Sequence, residues 1–357
     1  MKIALLSYST KPRGGVVHTL ALAEALAAAG EDVTVWSLGR GGDTGFFRPV
    51  VPAVRVRIVP FPDGPDGETV GERVLRSIAV LREAFDPAPY DVVHAQDCIS
   101  ANAVGRCVRT VHHLDHFTTP ELAACHERAI VEPYAHICVS RAVAGELAAG
   151  WGLTAEVIPN AVAYERFAAV DPAARERWRR ELGRYVLTVG GIEPRKGSLD
   201  LLEAYALLRA DHRGVRLVIA GGETLFDYRD YRARWAARAA ELGADPLVLG
   251  PVPEEDLPAL VAGAGAFAFP SVKEGFGLAA MEALAAGVPL VVRDLPVLRE
   301  VFGGAARFAA TAADLAAELA VALTEDAPAR RAAGRDLAAR HTWEAAARRH
   351  LDFYRSL

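Results

Sequence analysis

Two carboxylates, Glu274 and Glu282, stand eight residues apart around a helix start in the stretch Pro270-Ser271-Val272-Lys273-Glu274-Gly275-Phe276-Gly277-Leu278-Ala279-Ala280-Met281-Glu282. A strand-like apolar run at 266–269 enters the glycine-punctuated turn that holds Glu274, and an apolar Ala-rich helix follows. Were the whole interval helical, the two acids would be separated by roughly 12 Å, an upper guide because part of it is loop. That span suits the diphosphate of a nucleotide-sugar, with Glu274 on the hydroxyls of the sugar and Glu282 on the ribose diol. Between them the backbone N–H groups of Gly275, Phe276, Gly277 and Leu278, at the positive end of the helix, suit phosphate oxygens. Gly275 and Gly277 let backbone approach a ligand closely. Distance alone also admits a glycosidase acid/base pair. The phosphate-type helix start, in place of an open carbohydrate groove, argues against it. The plain alternative is that Glu274 caps the helix and Glu282 is solvated.

Three further groups belong with this chemistry. Arg195 and Lys196 follow a strand at 185–189 and precede a helix near Ser198. Two cations beside a helix start suit a diphosphate leaving group. Gly14-Gly15 follows the first strand and enters the first helix, an anion cradle by geometry. It lacks the full Gly-x-Gly-x-x-Gly pattern that dinucleotide binding requires. His18, a turn further on, packs or points to solvent and is left out of the chemistry. His112 ends a strand at 108–111 and opens His112-His113-Leu114-Asp115-His116-Phe117. A doubly wound sheet places ligands at such strand ends. Either His112 or His113 points inward, and the strand phase favours His112; His113 and Asp115 are acceptor-side candidates.

The elements that must position these residues alternate almost throughout the chain. Short β-branched runs at 2–7, 32–38, 54–59, 91–95, 108–111, 136–139 and 155–158 are separated by helical patterns such as 16–29 and 72–85. The pattern restarts at 185–189, 215–220, 247–249, 266–269 and 289–292. Alternation of this kind predicts two successive parallel-sheet α/β domains. The expected division is 1–163 for an N-terminal acceptor-side domain and 164–340 for a C-terminal donor domain. Helices at 312–357 break near His341-Thr342, and 341–357 is expected to pack back on the first domain. The Gly- and Pro-rich loops 39–51 and 60–71 follow first-domain strands, so they either shape an acceptor pocket or form ordinary surface. The helix 72–85 carries Arg73, Arg76 and Arg82, read as a solvated basic rim in preference to a membrane-touching face.

Composition narrows the classes further. The chain has 357 residues, 52% hydrophobic and 24% charged, which describes a well-cored globule. A net charge of −5 argues against nucleic acid as the main partner. No apolar run is long enough to span a bilayer, and the N-terminus is too short for a signal segment. Cys98, Cys107, Cys125 and Cys138 lack paired spacing, so a reducing cytoplasm is expected. Six histidines (His94, His112, His113, His116, His126, His136) share their segment, yet no metal-ligand spacing is present and no metal is expected.

The ordered motifs resemble the retaining nucleotide-sugar glycosyltransferases of the GT-B fold, family four. The resemblance rests on Gly14-Gly15-Val16-Val17-His18, Thr110-Val111-His112, Val139-Ser140, Ile158-Pro159-Asn160, Val189-Gly190-Gly191-Ile192-Glu193-Pro194-Arg195-Lys196-Gly197, Val218-Ile219-Ala220-Gly221-Gly222 and the Glu274–Glu282 stretch. It implies two Rossmann-like domains facing each other across a cleft. It also implies hexosyl-type transfer with retention, from a nucleoside-diphosphate-sugar to a small-molecule or natural-product hydroxyl, without a metal or other cofactor. Gly14 and Gly15 would approach the donor across the cleft, and His112 would lie near the donor sugar and the reacting oxygen. Leu249-Gly250-Pro251-Val252 falls where such folds hold the base through backbone contacts, so Val252 joins the donor set. One departure stands out: the family usually has Arg after the first glycine of its Gly-Gly pair, where this chain has Gly191. Two alternatives stay open, a GT-B sugar-nucleotide epimerase and a catalytically silent nucleotide-sugar-binding protein.

Overall fold

The computed structural model describes every residue except 116, 118 and 223–227. His116 therefore lies outside the described residues. The chain divides into two compact units, the first made of Met1–Ala161 with Trp343–Leu357 and the second of Val162–Thr342.

The first unit is built on a seven-stranded parallel sheet. Its strands are β1 (Lys2–Leu6), β2 (Asp32–Arg40), β3 (Val54–Phe61), β4 (Val92–Ala95), β5 (Val108–Val111), β6 (Ala135–Cys138) and β7 (Glu156–Val157). They lie in the order β3-β2-β1-β4-β5-β6-β7. Alternate residues of β1 feed opposite layers: Ile3 and Leu5 join one core cluster, Ala4 and Leu6 the other. The strands β2 and β3 run further than their apolar patterns predict, because Gly39 pairs with Pro60 and Arg40 with Phe61. Pro60 lies on β3, the sheet edge, which is where a strand accommodates proline.

The helix Gly14–Ala28 begins two residues earlier than its pattern suggests. Gly14 and Gly15 are thus its first helical residues and not a loop in front of it. First-turn amides have no intrahelical partner, so glycine there costs little and leaves its N–H groups unshielded. The last helix, Trp343–Arg355, adds Ala347, Leu351 and Tyr354 to the core around β1 and β2.

The second unit holds six parallel strands, β8 (Arg184–Val189), β9 (Val215–Ala220), β10 (Leu247–Gly250), β11 (Ala266–Phe269), β12 (Leu290–Arg293) and β13 (Arg307–Ala309), ordered β10-β9-β8-β11-β12-β13. The short β13 carries no readable period and was absent from the sequence pattern; it forms because it completes the ladder beside β12. Val186, Leu217, Ile219, Trp235 and Leu319 fill one side of this sheet. The closing helical region is split a second time, between Thr324 and Pro328, since proline starts a helix but cannot continue one.

Buried Tyr354 shares its hydroxyl with His94 Nδ1 at 2.6 Å, while His94 Nε2 meets Thr110 Oγ1 at 2.7 Å. Tyr354→Phe strands one buried imidazole nitrogen, and urea denaturation is expected to show a loss of about 1–3 kcal/mol. Wild-type stability in that variant would show that the last helix is held by apolar packing alone.

Candidate active site

Both sheets reverse their strand order once, between β1 and β4 and between β8 and β11. Crevices outside the carboxyl ends of strands at such points are where open α/β sheets bind ligands. In the second unit the loops after β8 and β11 meet there and brace each other. The Val272 amide donates to the Arg195 carbonyl at 2.9 Å. Arg195 Nη1 donates to Glu274 Oε1 at 3.0 Å and to the Lys273 carbonyl at 3.3 Å. Lys196 Nζ reaches the same Glu274 oxygen at 2.5 Å and lies 5.1 Å from the centre of the Phe269 ring. Burial pushes the Lys196 ammonium below its ordinary value, and Glu274 opposes that shift.

Gly197, to which no role was assigned above, makes this approach possible. Its φ is +64°, and a Cβ there would sit 2.2 Å from the Pro270 carbonyl oxygen. Gly277, with φ +101°, caps the helix Leu278–Ala285. The amides of Gly275, Phe276 and Gly277 donate to no backbone carbonyl among the described residues, which leaves an anion-binding helix start. The Phe276 side chain is buried against Phe302 and His341, so its contribution to a ligand is confined to its amide.

Glu282 lies one turn into that helix beside a second charged pair, Arg166 with Glu254. Burial first, and then the Glu254 charge, push its carboxyl up to about 8, with Arg166 opposing. A neutral carboxyl both donates and accepts hydrogen bonds. Val252 stands two residues before Glu254 at the carboxyl end of β10, where the Gly221 amide donates to the Gly250 carbonyl at 2.8 Å. The second unit thus gathers Arg195, Lys196, Glu274, Gly275, Gly277, Leu278, Glu282 and Val252 along one sheet edge.

The first unit brings Gly15 and His112 together: the His112 Nε2 lies 3.9 Å from where a Gly15 Cβ would stand. That nitrogen is buried and has no hydrogen-bond partner among the described residues. His113 faces elsewhere, paired with Asp115 at 3.1 Å. Burial first, and then Arg109 and neighbouring imidazoles, push His112 well below its ordinary range, so it is neutral at pH 7. His18 is buried, the packed one of the two positions left open for it. Its ring meets that of His112 edge-on at 4.8 Å and that of Trp343 at 5.3 Å. The helical spacing from Gly14 was the available signal, but Trp343 comes from the far end of the chain. Among the described residues no three His, Cys, Asp or Glu side chains are placed to hold a metal ion.

The group 1 glycosyl transferase model matches residues 172–337, and the glycosyltransferase family 4 model matches 12–166. A D-inositol 3-phosphate glycosyltransferase of Acidothermus cellulolyticus is 30% identical over 81% of this chain and 74% of its own length. The chain belongs to this glycosyltransferase family. A phosphatidyl-myo-inositol mannosyltransferase of Mycobacterium leprae is 28% identical over 100% of this chain and 97% of its own. The first curated relatives it matches are covered over only 31%, 48% and 32% of their lengths. Anabaena HepE, solved in complex with UDP and glucose, superposes with a TM-score of 0.74 at 20% identity, covering 100% of both chains, and confirms the GT-B fold. No helix among the described residues of this glycosyltransferase is long and apolar enough to cross a membrane.

Two measurements test the geometry. Gly197→Ala faces both a left-handed backbone and the Pro270 oxygen, so urea denaturation is expected to show a loss above roughly 1–2 kcal/mol. Gly214→Ala, with nothing within 4 Å of its added carbon, is the neutral control. For Glu282, the folded chain keeps a proton up to about 8 that the unfolded chain loses near 4.5. Its contribution to stability is therefore full below pH 4.5 and falls away as pH rises to 8. Glu282→Gln abolishes that titration, so its melting temperature is expected to gain on wild type progressively between pH 5 and pH 8, where about 8 is the folded value. Parallel melting curves across that window would remove the perturbed carboxyl from the account.

Proposed function

We propose that the chain transfers a sugar from a nucleoside-diphosphate-sugar to a hydroxyl of a small-molecule acceptor, with retained anomeric configuration and no obligatory divalent metal. The observation that carries this reading is the Arg195–Lys196–Glu274 cluster beside unpaired helix-start amides at the second unit's switch point. The solved HepE complex with UDP and glucose supports a nucleotide-sugar as donor. In this scheme the bond from the anomeric carbon to the β-phosphate oxygen breaks first, through an oxocarbenium-like state. Lys196, Arg195 and the amides of residues 275–278 take up the charge on the leaving diphosphate, where a divalent ion serves in other enzymes. Each well-placed donor of this kind contributes ~3–4 kcal/mol. The acceptor oxygen attacks from the leaving-group face and passes its proton to a departing phosphate oxygen. Glu274 orients sugar hydroxyls, Glu282 the ribose and the Val252 backbone the base. Neutral His112, with Nε2 unpartnered, hydrogen-bonds a reacting hydroxyl without adding charge to an oxocarbenium centre.

Four unpaired cysteines, with Cys98, Cys107 and Cys138 pushed up to about 12 by burial, fit a reducing compartment, and the cytoplasm is the proposed location.

A thermal-shift panel of uridine, guanosine, adenosine and thymidine diphosphates tests the donor half. One of them is expected to raise the melting temperature, by the equivalent of about 2.7 kcal/mol at a hundredfold excess over its Kd. Lys196→Ala should abolish the shift and slow turnover by about 10²–10³, and Glu282→Ala should weaken it. Four flat responses at millimolar nucleotide would refute the transferase. Nucleotide released from donor with no acceptor present would point to an epimerase.

A further inference from the structure

The amide row Gly275-Phe276-Gly277 is built of residues that hold their own direction poorly. Among the described residues none of its three N–H groups has a backbone acceptor, so no such bond fixes where they point. Two of the three are glycines, whose backbone is the least restricted of any residue. Gly277 sits at φ +101°, where a Cβ would stand 3.1 Å from both the Phe269 and the Phe302 rings. Phe276 is therefore the one side chain that can anchor the row. Its ring is buried, with the Phe302 ring centre at 6.4 Å and the His341 ring centre at 5.7 Å, the latter pair inclined at 56°.

The two rings that flank Phe276 differ in kind. Phe302 is a fully buried core residue at the end of the helix Pro296–Phe302. His341 is half-buried and ends the helix Pro328–Arg340. Three hydrogen bonds hold it. Its amide donates to the Ala338 carbonyl at 3.0 Å, its carbonyl accepts from the Val162 amide at 2.9 Å, and its ring Nδ1 meets the Leu337 carbonyl at 2.9 Å. A carbonyl only accepts, so Nδ1 carries the proton and the ring is fixed in rotation. Val162 begins the second unit and Thr342 ends it, so this brace stands where the chain enters and leaves that unit. Ending a helix asks only for a residue that departs from helical geometry, a task glycine or asparagine performs without a ring. An imidazole tied at both backbone groups and at Nδ1 is a rigid support for whatever rests on it.

We infer that His341 is a positioning residue for the donor diphosphate: its braced ring holds Phe276, and through Phe276 it sets the direction of the amides of residues 275–277. The inference rests on the transferase reading and adds to it a residue outside the set assigned to the donor. Rings at this spacing and inclination attract through edge and face as well as through buried area. Hydrogen bonds weaken steeply once the donor swings off line, so an amide row serves a phosphate only while it is aimed. A loop with two glycines has much backbone freedom to lose on binding. Holding Phe276 in the free chain moves that ordering from the binding step to folding, which raises affinity for the phosphates and leaves contacts to the rest of the nucleotide unchanged.

The full-length chain and its variants are titrated with uridine, guanosine, adenosine and thymidine diphosphates and with the four parent nucleosides, by calorimetry and ligand-observed NMR. His341→Asn removes the ring, keeps a donor for the Leu337 carbonyl, and places at the helix end a residue accepted there. It is expected to weaken the diphosphate that binds wild type by about two- to tenfold, while the parent nucleoside binds as before. His341→Phe keeps an aromatic edge and should restore diphosphate affinity despite losing the Leu337 bond. Phe276→Leu should weaken the diphosphate likewise, and the double variant should lose no more than the larger single loss, since both act on one contact. His341→Leu, apolar and of similar bulk, replaces the asparagine variant if that chain does not fold. Diphosphate binding unchanged in the ring-deleted chain, or nucleoside and diphosphate weakened alike, would overturn the positioning role. Losses that add in the double variant, or a phenylalanine variant no better than the ring-deleted one, would overturn it too. A wild-type chain that binds none of the four diphosphates would instead remove the transferase reading itself, so the two failures are distinct.

Discussion

The carboxylate of Glu274, shared between Arg195 and Lys196, joins two loops that the chain separates by nearly eighty residues. A buried ammonium is stable only with a partner close enough to offset its lost hydration. Lys196 has that partner at 2.5 Å, and burial still depresses its affinity for a proton. The pair in turn depends on backbone geometry. Gly197 brings the β8 loop close to the Pro270 carbonyl, and the Val272 amide closes the second connection to the Arg195 carbonyl. Without that approach the two cations would spread into solvent, where their field is screened and their position undefined. Preorganised charge in a partly dry crevice is what makes an electrostatic catalyst efficient, because it is not reorganised during the reaction.

The first unit solves a different problem, that of keeping a histidine uncharged. His112 rests against His18, which rests against Trp343, with His350 and His94 further in. Burial pushes His18, His94, His112 and His350 all below their ordinary range, with repulsion between imidazoles adding to it for His18, His94 and His112 and Arg349 for His350. Several imidazoles can share such a small volume only when neutral, since each proton added raises the cost of the next. The last helix, Trp343–Arg355, supplies Trp343 and His350 to this aromatic cluster, so the ends of the chain meet beside His112.

Much of this was legible in the sequence, and the failures have physical causes. Alternating apolar runs gave both parallel sheets, because buried strands must be continuously hydrophobic and glycines mark their ends. The Glu274–Glu282 stretch, Arg195-Lys196 and His112 could be placed because each follows a strand, and strand ends are where a doubly wound sheet binds. What could not be read was distance across the fold. The contact of His18 with Trp343, the fit of Gly197 against Pro270 and the burial that perturbs Glu282 each join positions with no local pattern in common. The three-residue β13 failed for a related reason: its partner β12, and not its own composition, makes it a strand. The start of the first helix was misplaced because propensity penalises Gly14 and Gly15, while a first turn tolerates residues that leave amides unshielded.

The two sheets also repeat one plan. Their first five or so strands follow the same order about the reversal, β3-β2-β1-β4-β5 in one and β10-β9-β8-β11-β12 in the other. Cations stand near strand carboxyl ends in both, Arg13 and Arg40 after β1 and β2 in the first and Arg195 and Lys196 after β8 in the second. Composition does not force this, since the chain is net negative at −5. The difference lies in how the charge is answered. Glu274 compensates the second cluster from within, so the cluster is stable without a bound anion. In the first, Glu68 binds Arg76, lies near Arg73 and also faces Arg40, so one acid is shared among several guanidiniums. A site with an internal counter-ion trades affinity for order. The choice of residue follows the same logic. Only four of the 40 basic residues are lysine, and Lys196 is the one set against a single carboxylate oxygen, where a compact point charge fits better than a planar fork.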